Sequence, residues 1–289
     1  MLAIPIWEGD KPIAKKLPWT TLRRFYVSQQ FLKIFFPAFV CLMLFVDSNA
    51  FAETPSNQTP SDFAALARKT YMESRVQYQR DTNNLNAAWQ YARACFDLGE
   101  FAATSRDRAE IADTGIAISM DLVKRAPQLA EAHYYLAMNL GQLARTKSLG
   151  ALKLVDQMEV EFLAAAKLKE HFDYAGPDRN LGQLYLEAPS FASIGSRTKA
   201  RQHLRRAVEL EPDYPENRLL LAEAYLRWGD KVPAAKELKA LLQGWDAARK
   251  RLSGGSWGAS WSDWEARLAK LKDKLQETLK ELETTRQKN

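Results

Sequence analysis

Cysteine is almost missing: the 289 residues include Cys41 and Cys95 and no others. Cys41 lies inside an N-terminal apolar run, so the body of the protein keeps one thiol and no internal disulfide. Set among apolar helix positions, Cys95 reads as a buried small hydrophobe. Histidine is as scarce, with His133, His171 and His203 on three different helical stretches and no second ligand at metal spacing. Each therefore reads as a helix-surface or core-edge residue. There is no G-x-S-x-G, no phosphate-cradling glycine loop and no Cys/His pair. The acidic residues lie mostly beside lysines and arginines on helix surfaces, where solvated charge is the default. Nothing in the sequence recommends catalysis, a metal or a cofactor, and none is expected.

A long hydrophobic run is also missing. The most apolar segment, Phe31 to Val46, holds thirteen apolar residues after Lys33 and includes Pro37, short of the roughly 20 that span a bilayer as a helix. A basic flank, this short core and the small residues of "AFA" at 50–52 predict a secretory signal cleaved after Ala52. The expected location is periplasmic or secreted, or the inner membrane if the segment stays uncleaved as an anchor. A start near Val27 would leave a compact signal of about 26 residues. Residues 1–52 hold six of the 41 Lys/Arg and three of the 35 Asp/Glu, which leaves 35 basic and 32 acidic residues beyond them. That small excess, mixed in sign along the helices, gives no case for nucleic-acid binding.

What is present is helix. Residues 53–62, "ETPSNQTPSD", predict a linker, and residues 63–250 predict amphipathic helices throughout, with apolar residues at steps of three and four. No run of alternating β-branched residues appears, which argues against a sheet. In "ENRLLLAEAYLRWGD" a small residue, Ala222, stands where bulk would be usual, with Tyr225 at +3, Gly229 at +7, Ala234 at +12 and Leu238 at +16. Small residues let two antiparallel helix axes approach, large ones fill the grooves beside them, and a glycine ends the first helix. The device recurs at Ala92, Ala137 and Gly182, spaced 45, 45 and 40 residues along to Ala222. These spacings resemble the tetratricopeptide repeat (TPR), a helix pair of about 34 residues, and predict an all-α solenoid of about four helix pairs.

The stretch from 173 to 218 adds Gly176-Pro177, Leu181, Gly182, Tyr185, Pro189, Gly195, Ala200 and Ala207. In this respect the chain resembles the T-component family, periplasmic TPR proteins that accompany TRAP-type solute transporters. That resemblance implies an accessory of a transporter that handles a small ligand, with a solute-binding subunit as its partner. The chain departs from the family pattern in its Trp-rich tail.

If the units stack as TPRs do, positions six and three before each small anchor, and one and four after it, line a concave groove. Among these, Trp89, Arg93, Glu131, Tyr134, Arg179, Gln183, Glu216 and Glu223 form the candidate site, suited to a protein or peptide partner of a non-catalytic scaffold. After 250 a Gly/Ser/Trp linker is expected over 251–262, then a helix over 263–289 capped by Ser262 or Asp263. Its stripe Leu268, Leu271, Leu275, Leu279 and Leu282 predicts either a cover for the solenoid end or a seam for self-association. Trp257, Trp261 and Trp264 are expected to seal the last hairpin.

Overall fold

A computed structural model describes residues 60–147 and 150–288, and the side chains of residues 62–147 and 150–280. The expected signal at 1–52 and the linker up to residue 59 lie outside the described residues. Among the described residues there are ten α-helices and no strand: α1 Pro60–Arg80, α2 Leu85–Glu100, α3 Ser105–Arg125, α4 Ala130–Ala144, α5 Ala151–Leu168, α6 Gly176–Glu187, α7 Arg197–Leu210, α8 Pro215–Arg227, α9 Lys231–Arg251 and α10 Gly258–Lys288. A 3₁₀ turn, Gly255–Trp257, precedes the last.

The helices pair as α2/α3, α4/α5, α6/α7 and α8/α9, four antiparallel hairpins stacked in chain order, with α1 packed on α2 ahead of them. Local chemistry sets the boundaries. The side chains of Asn84, Thr104 and Ser196 accept from backbone amides at the starts of α2, α3 and α7, at 3.0, 3.0 and 3.3 Å, satisfying donors that the helix itself leaves open. Pro177 and Pro215 open α6 and α8, where a missing N–H costs nothing. Gly229, at φ +80°, closes α8; the amide of Asp230 reaches back to Tyr225 O at 2.9 Å and that of Gly229 to Leu226 O at 3.0 Å, a paired C-terminal motif.

The four anchors occupy equivalent places on α2, α4, α6 and α8. Ala92, Ala137 and Ala222 are wholly buried. At Gly182 the fit is tighter still: a Cβ there would lie 2.6 Å from Leu204 Cγ and 2.9 Å from Leu204 N on α7. Gly182 thus faces its hairpin partner directly, and Ala200, Leu204, Ala207, Ala234 and Leu238 are likewise fully enclosed. A fully buried leucine contributes about 1.5–3 kcal/mol, so the solenoid is held by these inter-helix seams.

Two boundaries differ from expectation. Residues 60–62 belong to α1 rather than to a linker. The last helix starts at Gly258, not at 263, so Ser262 and Asp263 lie inside it and cap nothing. The cause is packing: Trp261 and Trp264 are buried against α8 and α9, and burying two indoles outweighs the poor helix propensity of Gly and Ser. These tryptophans do seal the last hairpin. The leucine stripe is committed there as well. Leu268, Leu271 and Leu275 are buried in the same cluster as Leu219, Ala222 and Leu241, with Leu279 packed at its edge. That leaves no seam at those positions for a second copy; the Leu282 side chain lies outside the described part. No helix of the described residues is long and apolar enough to cross a membrane.

Candidate binding site on the concave face

The expected groove residues lie on the first helices of the hairpins, and most of them are occupied by the chain itself. At their centre is the turn that leads into α6. Asp173, Tyr174 and Ala175 have φ of 49, 55 and 59°, three successive non-glycine residues in the left-handed region, a conformation that costs free energy at each. The surroundings hold it there. Arg179, buried, donates from Nη1 to the carbonyls of Asp173 and Tyr174 at 3.1 and 3.0 Å and from Nη2 to Asp173 Oδ2 at 2.8 Å. Tyr134 OH donates to the same Oδ2 at 2.5 Å and accepts from Asn180 Nδ2 at 2.9 Å. Tyr174 stacks on Tyr214 with centroids 4.4 Å apart, and Asn217 Nδ2 donates to Tyr174 O at 3.2 Å. Arg179 and Tyr134, two of the expected groove residues, thus pin a turn. Burial, with Asp173 beside it, pushes the Tyr134 phenol well above its usual range, so it stays a donor.

Farther along, α10 packs on α8. Arg267 donates to Glu223 Oε1 and Oε2 and to Glu216 Oε1, each at 2.8 Å, and to Asp263 Oδ2 at 3.0 Å. Trp264 Nε1 donates to Glu216 at 2.5 Å. Glu216 and Glu223, also expected in the groove, are therefore held by the chain's own last helix. Glu131 pairs with Lys169 at 2.9 Å, and Gln183 is half-buried on α6.

The remaining two, Trp89 and Arg93, line an open cleft of about 340 Å³. Its walls are α1 (Phe63, Leu66, Ala67), α2 (Trp89, Arg93, Asp97) and, facing them, Gly255, Ser256 and Ala259 ahead of and in the first turn of α10. Trp89 stacks on Tyr135 at 5.9 Å with the rings 5° apart, which fixes its plane. Arg93 is 57% exposed, and its Nε lies 3.5 Å from Asp97. Asp97 is partly enclosed between the walls, with its side chain 40% exposed. Burial pushes its carboxyl up to about 6, with Asp173 and Glu100 adding to the push and Arg93 pulling against it. The rule of positions around the anchor misses Asp97, although it stands one helical turn after Arg93. The α1 and Gly255 walls carried no signal in the sequence, since both come from outside the repeats.

The raised Asp97 has a pH consequence. From about pH 4 to 6 the folded protein keeps a proton that the unfolded chain, with its carboxyl near 3.8, has released. Stability from this group is full below that window and is lost as pH rises through about 6. Asp97→Asn should flatten that component. Urea midpoints measured from pH 4 to 7 should show the variant gaining on the wild type as pH rises; parallel curves would disprove it.

The three histidines each meet a carboxylate: His133 and Glu161 at 2.6 Å, His171 and Glu211 at 2.8 Å, His203 and the buried Asp178 at 2.7 Å. Among the described residues no three of His, Cys, Asp and Glu converge as a metal site requires. Cys95 is buried, and burial pushes its thiol up to about 12.

Stacked hairpins with small residues at each crossing define a helical-hairpin solenoid. Residues 195–244 match the tetratricopeptide repeat family, and residues 57–175 match a family described as regulator of microtubule dynamics protein 1-3. A thermophilic TPR protein of Thermus thermophilus shares the fold, with a TM-score of 0.53 at 19% identity, over 73% of this chain and 97% of that one. The fold is that of the tetratricopeptide-repeat solenoids. No curated protein matches it.

Proposed function

We propose that this protein is a non-catalytic interaction scaffold that receives a short, partly apolar segment of a protein partner, bearing a carboxylate, in the cleft between α1, α2 and the Gly255–Ala259 turn. The observation that carries this reading is the cleft itself. It is the part of the concave wall where an exposed arginine and a fixed indole remain open to solvent, while the neighbouring wall is filled by α10 and the left-handed turn. Arg93 would meet the carboxylate as a fork, and Trp89, Phe63 and Leu66 would cover the apolar part. The tetratricopeptide-repeat match of residues 195–244 supports the same coarse reading, action through protein contacts.

The test is capture of partners by the full chain against an Arg93→Glu variant. Any specific partner of the cleft should be lost by at least about tenfold. Because Asp97 competes for Arg93, capture should strengthen as pH falls through about 6. Capture indifferent to both changes would remove the cleft from the reading.

Export stands with this proposal, on the strength of residues 31–52. A reporter enzyme active only outside the cytoplasm, fused after residue 62, should be active; an inactive but stable fusion counts against export. The Gly176-Pro177 stretch favours a second reading, an accessory of a TRAP-type solute transporter that handles a small ligand in the same cleft. It requires the chain to co-purify with a solute-binding subunit of such a transporter.

A further inference from the structure

Away from the cleft, the second helix of the third hairpin carries a row of exposed charge. We propose that an arginine ladder on α7 docks an acidic segment of a protein partner. Arg197, Arg201 and Arg205 recur at every fourth residue, so they stand one above another along about 12 Å of helix. With Thr198, Gln202 and Glu209 they line a shallow depression of about 620 Å³.

The ladder is held in place yet under-neutralised. Arg197 Nη2 and Arg201 Nη2 both donate to a single oxygen, Asp230 Oδ2, each at 2.9 Å. Both guanidinium groups lie over the Trp228 ring at 5.2 Å, and that of Arg201 also lies 5.9 Å from the Tyr225 ring. The Nε of Arg201 is buried without a hydrogen-bond partner. Arg205 faces Glu209 at 3.8 Å, with both side chains more than half exposed. Two carboxylates thus stand against three guanidinium groups whose planes are partly fixed, which lowers the entropy lost on pairing. A guanidinium fork suits a carboxylate. The step of about 6 Å matches acids recurring at every fourth residue of a helix or every second residue of a strand.

The neighbouring charges favour a narrow partner. Glu209 closes one end of the ladder, and Glu170 and Asp178 flank it where they hold Arg206. A duplex or an anionic bilayer would press against the exposed Glu170 and Glu209 as well, whereas a single acidic segment meets only the arginines.

Fluorescence anisotropy of a fluorescein-labelled deca-glutamate peptide with the full chain tests this. The wild type should bind it, and Arg197→Glu/Arg205→Glu should weaken binding by about tenfold. A control reversal on α9 and its exposed end, Lys236→Glu/Lys250→Glu, should cost less than about twofold. Asp230→Asn, which removes the internal competitor, should tighten binding. The single variant Arg205→Glu, at a side chain whose ion pair is a loose 3.8 Å, guards against misfolding of the double variant and should still lose affinity. Absent binding, equal losses in ladder and control variants, or an unchanged Arg205→Glu would each overturn the proposal. Ladder-dependent binding of an RNA oligonucleotide or of phosphatidylglycerol vesicles as tight as that of the peptide would overturn the polypeptide assignment.

Discussion

Replacing Arg267 by alanine is expected to destabilise the protein by about 3–5 kcal/mol, the cost typical of removing one partner from a buried ion pair. Arg267 is 9% exposed in its side chain and stands among three carboxylates, Glu216, Glu223 and Asp263. Burial alone would push Glu216 up; Arg267, helped by Arg179 and Trp264, more than reverses that and holds it below the usual range. Without the guanidinium, Glu216 and Asp263 would be enclosed like charges with no cation between them. Protonation would then relieve part of the cost, so the loss should be larger at pH 8 than at pH 5. Urea unfolding at both pH values reads the prediction. A loss under about 1 kcal/mol, or one independent of pH, would show that α10 is held by its leucines and tryptophans alone.

The second large effect lies behind the concave wall. Phe162→Ala on α5 should cost about 3–5 kcal/mol, the range for emptying an aromatic site in a core. Phe162 is 1% exposed and meets Tyr134 edge-on with centroids 5.8 Å apart. Tyr134 in turn meets Phe172 at 5.1 Å and holds Asp173 through its hydroxyl. The cavity would therefore open directly behind the residues that keep the left-handed turn in place. Thermal unfolding measures the total. Hydrogen exchange at the Asp173–Gly176 amides should accelerate more than exchange elsewhere; a uniform change would mean that the turn does not lean on Phe162.

Much of the fold was legible because its determinants are local and periodic. Ala92, Ala137, Gly182 and Ala222 recur at spacings that only repeated helix crossings explain, and the crossings lie where those residues fall. The 3.6-residue period also assigned sides to each first helix. What covers those sides was not legible. The leucine stripe of α10 is visible in the sequence, but both a self-association seam and a solenoid cap satisfy it, and only the placement of Leu219 and Leu241 decides between them. The left-handed turn left no trace either: Asp173, Tyr174 and Ala175 give no sign of positive φ, and the conformation is imposed by Arg179 of α6 together with Tyr134 and Asn217 from two other helices. The buried amides of Asn139 and Asn217 escaped for a similar reason. Asn139 donates to Tyr135 O in its own helix and to Ala92 O on α2, and the second partner is chosen by stacking.

The meeting of the last helix with the first has a further meaning for how the molecule comes apart. Helical arrays are ordinarily open at both ends and fray unit by unit, because each unit touches only its neighbours. Here Gly255, Ser256 and Ala259 share a cleft with Phe63 and Trp89, and Trp257 touches Tyr174 and Tyr214. Loss of the terminal unit therefore strips support from the opening one, so the array should melt as a single body, and cutting the chain near residue 253 should loosen the opening helix at the far end of the sequence.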